Sequence, residues 1–302
     1  MRFAVPHPIP YQGSKRRLAE AILSHIPAGR FERLIEPFAG SAAVTLACAS
    51  RNLFPTYLLG DALEPLTDLW QAVILNPSVI ASEYEQLWLR ERAKPIDAYY
   101  EIRAEFNASR GPGKLLYLLA RCVKNAVRFN PSGEFNQSPD KRRRGTHPDL
   151  MRAELLGAHR ILADRSEVRA ADFVALLKVA KDSDLVYLDP PYQGTSDGRD
   201  SRYIAGVSRE AVLDLLTDLN RRGIEFILSY DGSSGGRCYG EPLSEDVAHQ
   251  IRLDVGRSSQ ATLNGTSDRT VESLYLSYGL ADMAAPRDVC LNDFARQSVL
   301  FA

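Results

Sequence analysis

Two adjacent prolines, Pro190 and Pro191, directly follow the apolar run Leu185-Val186-Tyr187-Leu188. The run reads as a strand buried on both faces, the pattern of a parallel sheet covered by helices. Neither proline has an N–H to give to a sheet ladder, so the strand must stop at Asp189. That makes a rigid corner at the carboxyl end of a buried strand, the place where open α/β sheets bind ligands. Asp189 brings an acceptor carboxylate there, Pro190 an acceptor carbonyl, and Tyr192 an aromatic face. The three together suit a flat heterocycle with an exocyclic amine. Asp-Pro-Pro is also a common turn, and a Tyr after it often only packs, so the rest of the chain must decide.

Two earlier strand ends point the same way. In Arg33-Leu34-Ile35-Glu36-Pro37-Phe38-Ala39-Gly40-Ser41-Ala42-Ala43-Val44-Thr45-Leu46 a short apolar strand runs into a small-residue turn and then a helix. This is the outline of a first βα unit in a nucleotide-binding sheet, with Gly40 allowing close backbone approach. The stretch lacks GxGxxG, so a dinucleotide is a poor match, and a carboxylate at Glu36 favours a cation or a ribose hydroxyl over a phosphate. The next strand, Thr56-Tyr57-Leu58-Leu59, closes on Gly60-Asp61. An acid about twenty residues after the glycine turn, at the tip of the second strand, typically accepts hydrogen bonds from a ribose diol. A packing glycine at Gly40 and an exposed loop aspartate at Asp61 are the plain alternatives.

Before these, Leu18, Ala21, Ile22 and Ile26 recur at helical spacing, with Ser14 as N-cap and Tyr11 and Lys15 flanking the Gly13 turn. Tyr11 and Lys15 either receive a small anionic or aromatic ligand or belong to a surface helix with a solvated lysine. From residue 64 to 165 the pattern is helical, through Leu66, Leu69, Trp70, Val73 and Ile74 and later Leu115, Leu116, Leu118 and Leu119. Ala170-Ala171-Asp172-Phe173 then reads as a turn opening a helix with Asp172 as its cap, and residues 224–230 as another buried strand. A helix from Ser208 to Gly223 precedes the latter. Residues 250–255 and 272–278 alternate like a terminal hairpin pair, and residues 193–203 form a polar loop beside Asp189.

The helical stretch carries most of the clustered positive charge. Lys114, Arg121, Lys124 and Arg128 lead to Arg128-Phe129-Asn130-Pro131-Ser132-Gly133-Glu134-Phe135-Asn136-Gln137 and then to Lys141-Arg142-Arg143-Arg144. Arg and Lys hold phosphates, whereas Arg, Asn and Gln can read base edges. With a net charge of -1 over 302 residues, a nucleic-acid partner has to be served by such a local patch; a solvated charge run is the alternative. Cys48, Cys122, Cys238 and Cys290 show no CxxC spacing and the five histidines no metal-ligand pattern, so neither a metal centre nor a disulfide framework is expected. The expected compartment is the cytoplasm, with no signal peptide and no membrane span.

These motifs, in this order, resemble the Dam-like (D12 class) adenine-specific DNA methyltransferases. Tyr11-Gln12-Gly13-Ser14-Lys15 is similar to the family's N-terminal turn, and Glu36-Pro37-Phe38-Ala39-Gly40 to its cofactor loop. Asp61 falls at its ribose acid, Asp172-Phe173 at its cofactor-adenine position, and Asp189-Pro190-Pro191-Tyr192 at its catalytic motif. Residues 128–136 resemble a signature of its target-recognition region, and Arg257-Ser258 with Glu272-Ser273-Leu274 its C-terminal hairpin. Ala42 stands where the family loop usually has a second glycine, Tyr11 where Trp is commoner, and the loop at Arg142-Arg143-Arg144-Gly145-Thr146 departs from the best-known members.

The resemblance implies an α/β fold: a Rossmann-like methyltransferase sheet with an inserted helical DNA-recognition domain. Residues 1–63 and 167–302 would bind S-adenosylmethionine, and residues 64–166 would recognise the target. It implies Asp189, Pro190 and Tyr192 as catalytic, and Tyr11, Lys15, Glu36, Pro37, Phe38, Gly40, Asp61, Asp172, Phe173 and Asp189 as cofactor-binding. Lys124, Arg128, Asn130, Asn136, Lys141, Arg142, Arg143 and Arg144 would bind DNA. The expected reaction is methyl transfer to the N6 amine of an adenine flipped out of duplex DNA, without a metal. Cytosine N4 is the nearest rival target, and a cofactor- and DNA-binding protein without turnover is a reading from another class. A cognate restriction endonuclease is left open as a partner.

Overall fold

The apolar runs assemble into one sheet whose strands end where the candidate site residues begin. The computed structural model describes residues 4–93, 96–191, 207–234, 237–239, 241–257 and 269–283. Its strands are β1 (Arg33–Glu36), β2 (Thr56–Asp61), β3 (Ser166–Ala170), β4 (Asp184–Leu188), β5 (Glu225–Ser234), β6 (Arg237–Tyr239), β7 (His249–Arg257) and β8 (Arg269–Leu276). The sheet order is β3-β2-β1-β4-β5-β8-β7, with β6 paired to β5 off this path. The first five are parallel neighbours, whereas β8 runs antiparallel to both β5 and β7. The chain builds outward from β1 to β2 and β3, then returns to add β4 on the other side of β1. The order therefore reverses between β1 and β4, which is the switch point where such sheets open a crevice.

Alternation along each strand feeds two cores. Leu34, Tyr57, Leu185, Ile227, Leu274 and Leu276 join one apolar cluster, and Ile35, Leu58, Val186, Phe226, Leu228 and Tyr275 join the other. The register agrees, since Ile35 sits opposite both Leu58 and Val186. The first cluster gathers α1 (Ala19–Leu23), α2 (Ala43–Ala49), α3 (Glu64–Leu75), α6 (Pro112–Arg121) and α7 (Pro148–Leu162). The second gathers α8 (Phe173–Leu177) and α9 (Arg209–Arg221). Helices thus cover both sheet faces, and every residue of β4 is buried, as the unbroken apolar run requires.

Between β2 and β3 lie α3, α4 (Pro77–Ala93), α5 (Asp97–Ser109), α6 and α7. Their apolar faces continue the first core: Trp70, Leu115, Leu118, Phe106 and Phe135 belong to the same cluster as Leu34 and Tyr57. A last helix, α10 (Tyr278–Met283), follows β8. Ser208 and Asp172 cap α9 and α8 through their side chains, as their positions predict.

Three local expectations differ. Residues 15–23 form a 3-10 turn (Lys15–Arg17) and then α1, rather than one helix opening at residue 15. Ser14 does not cap it; its hydroxyl oxygen instead accepts the Ser41 hydroxyl at 2.7 Å. β3 is a strand that Ser166-Glu167-Val168-Arg169-Ala170 does not advertise. It pairs only with β2, none of its residues is fully buried, and so it carries no alternating apolar signal.

Candidate active site

Three carboxylates gather beyond the carboxyl ends of β1, β2 and β4. Glu36 is the last residue of β1 and is 3% exposed. It accepts the Thr45 N–H at 3.1 Å and the Thr45 hydroxyl at 2.5 Å. Thr45 lies in the first turn of α2, whose N–H groups have no partner within the helix. The N-cap residue, Ala42, has no side-chain acceptor, so Glu36 reaches across to do the capping. Burial, opposed by these hydrogen bonds, pushes the Glu36 carboxyl up to about 8, and Asp189 and Asp61 add to the effect.

Asp61 ends β2 and braces the loop that leaves β1. One carboxylate oxygen accepts the Gly40 N–H at 3.2 Å and the other accepts the Leu63 N–H at 3.0 Å. Burial raises its pKa, against those two hydrogen bonds. The loop itself is tied by Ala39 N–H to the Gly60 carbonyl at 2.8 Å and by the buried Trp70 indole N–H to the Gly40 carbonyl at 2.8 Å. Both Gly40 and Ala42 have φ of 48°. Ala42 is thus a non-glycine residue held in the left-handed region, at the position where a glycine is expected from the resemblance. Tyr11 lies over this turn: a Cβ on Gly40 would meet its ring at 3.2 Å. Phe38, from the same loop, packs on Phe173 with ring centroids 5.3 Å apart. Asp172 is exposed, and its carboxylate accepts the Ala175 N–H at 2.8 Å. Pro37 leads the turn and Pro190 is buried after β4.

Asp189 sits at the switch point, with its side chain 20% exposed. Lys15, 7% exposed, reaches it from the N-terminal turn, with Nζ 3.2 Å from Asp189 Oδ1 and 3.1 Å from Glu272 Oε2 of β8. Lys15 is therefore buried in the site and not a solvated surface lysine. Burial drives the Asp189 pKa up to about 6; Lys15 opposes this and Glu272 reinforces it. The structure thus brings Tyr11, Lys15, Glu36, Pro37, Phe38, Gly40, Asp61, Phe173 and Asp189 to one end of the sheet. Tyr192, residues 193–203, Ser258 and residues 259–268 lie outside the described residues.

The sequence pattern of the family described as D12 class N6 adenine-specific DNA methyltransferase matches residues 11–253. The chain belongs to this family. Among its relatives, the Retron Ec67 DNA adenine methylase of Escherichia coli is 31% identical over 194 residues, covering 62% of this chain and 64% of that protein. The DNA N-6-adenine-methyltransferase of Escherichia phage P1 is 26% identical over 237 residues, 74% of this chain and 29% of that protein. Modification methylase StsI of Streptococcus sanguinis is 25% identical over 289 residues, 91% of this chain and 43% of that protein. The chain thus spans less than two thirds of the length of each of these relatives.

The basic residues of this methyltransferase-family chain lie in two connected pieces of the helical region. Residues 128–136 form a tight hairpin in which Phe129 and Phe135 face each other across an antiparallel bridge. Both rings are buried, and Gly133 makes the turn with φ of 74°. Asn130 uses both ends of its side chain on Glu134: its amide N–H donates to the carboxylate and its oxygen accepts the backbone N–H, each at 2.8 Å. Asn136 is exposed and Arg128 partly buried. Lys141, Arg142, Arg143 and Arg144 are all exposed on the next loop. That loop is fastened from inside by Arg121, whose guanidinium pairs with buried Glu91 and donates to the carbonyls of Asp140 and Arg143. Lys124 and Asn125 form a corner with φ of 59° and 53°. Asn125 joins the two regions, because its carbonyl accepts the Gln12 N–H at 3.0 Å and its side chain accepts Arg143 at 3.3 Å.

Thr45 and Asn125 hold parts of this site without having been singled out in the sequence, and Glu272 was named there only as part of the C-terminal hairpin motif. For Glu272 a signal existed. It lies two and four residues before Leu274 and Leu276, on the same face of its strand, so an acid occupies an inward position. Among the described residues no group of His, Cys, Asp and Glu could hold a metal ion, and no helix is long and apolar enough to cross a membrane.

Proposed function

We propose that the protein is a site-specific DNA methyltransferase acting on the N6 amine of adenine, with S-adenosylmethionine as methyl donor. The observation that carries this is Asp189 at the sheet's switch point, a largely buried acceptor whose pKa burial raises to about 6 and which Lys15 meets at 3.2 Å. The donor set suits that cofactor. Asp61 and Asp189 offer carboxylates, and Glu36 a carboxyl whose pKa burial raises to about 8, as acceptors to a diol and a cation, Lys15 offers one ammonium to a carboxylate, and Phe38 with Phe173 an apolar wall to a ring. The Tyr11 ring fills the space that a Cβ on Gly40 would take, so the glycine is what lets this aromatic side chain lie on the turn. S-adenosylmethionine, when bound, supplies an electrophilic methyl group on a sulfonium centre.

The protein's own part is to make a poor nucleophile act. An exocyclic amine shares its lone pair with the ring. Asp189 and the Pro190 carbonyl accept its two N–H bonds, which draws the lone pair out of conjugation and stabilises the positive charge the nitrogen acquires. Tyr192 stacks on the base, and the rest of the barrier is positioning. A base inside a duplex cannot reach such a corner, so the target must be flipped. Residues 64–166 serve recognition, with exposed Lys124, Asn136, Lys141, Arg142 and Arg144 towards DNA, and with Arg128, Asn130 and Arg143 framing that surface. Cytosine N4 requires nearly the same acceptors; the adenine-specific family favours N6. The name of one relative, a modification methylase, supports looking for a cognate restriction endonuclease beside the gene.

The test is to methylate unmodified genomic DNA and read base and context together by single-molecule sequencing. N6-methyladenine in one recurring context is the expected result, lost in D189A while cofactor affinity stays within a few-fold. N4-methylcytosine would replace the target. Cofactor binding without any methylated base, or near-normal turnover in D189A, would overturn the mechanism.

A further inference from the structure

Lys15 Nζ is shared almost equally by two carboxylates from distant parts of the chain, Asp189 after β4 and Glu272 within β8. All three side chains are largely buried, at 7%, 20% and 18% exposure. The Lys15 ammonium thus faces two carboxylates at once. With Asp189 as its sole partner, the ammonium would neutralise the very carboxylate that has to accept an amine N–H. Glu272 divides that ammonium's interaction and restores negative charge beside the position where positive charge develops. The fold commits to this arrangement: Glu272 stands opposite Gly232 of β5, where a bulge breaks the β5–β8 register.

We infer that Glu272 is a positioning residue, which shares the Lys15 ammonium with Asp189 and so keeps Asp189 a strong acceptor for the exocyclic amine. This rests on the proposed amine methylation and adds to it a residue that need not touch the substrate. Its electrostatic signature has a definite sign. Among the described residues, the titratable groups acting on or near Asp189 are Lys15 from the N-terminal turn, Glu272 from β8 and Glu36 from β1, whose pKa burial raises to about 8, with Asp61 of β2 near Glu36 and the Tyr187 phenol, raised by burial. Removing the Glu272 charge favours ionised Asp189, whereas removing the Lys15 charge disfavours it.

The test compares the wild type with E272Q and K15Q by carbon-13 NMR titration of the Asp189 carboxyl, assigned by its loss in D189N, and by the pH profile of kcat/KM. E272Q should move the Asp189 midpoint to lower pH by about one unit, and K15Q should move it to higher pH. The acid limb of kcat/KM should follow each. E272Q should also lower kcat on the order of tenfold while affinity for S-adenosylhomocysteine stays within about threefold. An unmoved midpoint in E272Q, shifts of the same sign in both variants, or kcat within about twofold of wild type would overturn the inference. Should E272Q not fold, E272A is read by the same titration, and an Asp189 midpoint that does not fall would overturn the inference. A wild-type protein that methylates no DNA would defeat the functional reading instead, and the titration would still judge the ion cluster on its own.

Discussion

The Tyr11 ring packs against the backbone of Gly40 so closely that a Cβ there would stand 3.2 Å from its Cε1 atom. Gly40 also has φ of 48°. An alanine at this position would meet both the ring and the left-handed backbone penalty, so Gly40→Ala should destabilise the protein by about 1–2 kcal/mol. Ala42 has the same φ and no side-chain chemistry that favours it. Ala42→Gly removes that strain but loosens the unfolded chain, and the net gain should be up to about 1 kcal/mol. Urea denaturation midpoints measure both. Equal midpoints for Gly40→Ala and wild type would mean the turn relaxes freely.

Glu36 should make stability depend on pH. Its folded pKa, about 8, lies above the ordinary 4.5, so the folded state keeps a proton that the unfolded state gives up. The group's contribution is most favourable below 4.5 and is lost as pH rises toward about 8. Glu36→Gln removes the titration. Thermal melts of the cofactor-free protein from pH 5 to 8.5 should show Glu36→Gln gaining on wild type by about 2–4 °C across that window. Cofactor affinity should fall in the same variant. A gap between the two proteins that is constant with pH would show that Glu36 does not titrate in this range.

Asp61 has two tasks that separate experimentally. It accepts two backbone N–H groups, and as the second-strand acid it is the residue proposed to meet a ribose diol. Asp61→Ala should weaken cofactor binding by about 1.5–3 kcal/mol, the worth of a charge-assisted hydrogen bond, and should also lower stability because the Gly40 loop loses its brace. Asp61→Asn is no rescue, since its amide would face a backbone donor. Calorimetry and denaturation read the two effects. A loss of stability with unchanged affinity would leave Asp61 as a brace alone.

The strand ends were readable because their signals are local. Two prolines must stop β4, and an apolar run of that length must be buried. Glu36, Asp61 and Asp189 follow such runs directly, so their convergence needs only the sheet order. Lys15 was ambiguous for the opposite reason. Its burial depends on β4 and β8 closing over it, and no window around residue 15 contains those strands. Ser14 looked like a cap because the spacing is right, but Ser41 captures its side chain from another loop. β3 lies at the sheet edge with little buried surface, so its sequence is not pressed into alternation. Asn130 looked like a base reader by residue type; only the hairpin geometry shows both of its polar ends engaged by Glu134.

The basic loop offers the sharpest test of where DNA binds. Its backbone is held from inside, by Arg121 at the Asp140 and Arg143 carbonyls, by the Trp88 indole at the Arg144 carbonyl and by the Tyr84 hydroxyl at the Thr146 carbonyl. Arg142, Arg143 and Arg144 are all exposed, and of these Arg143 is tied to Asp140 at 2.8 Å. Binding to phosphates releases counterions, so replacing Arg142 and Arg144 with Ala should shrink the salt slope of DNA affinity by roughly 1 for each phosphate no longer neutralised. Stability should change by less than about 0.5 kcal/mol, because neither side chain supports the fold. Arg121→Met should behave in the opposite way. It strands buried Glu91 without a partner, at a cost of about 3–5 kcal/mol, and weakens DNA binding at every salt concentration by releasing the loop. Filter binding across a salt series, with denaturation alongside, distinguishes the two variants. A loss of sequence preference at constant salt slope would make Arg142 or Arg144 a base reader. Unchanged affinity at all salts would move the DNA surface off this loop.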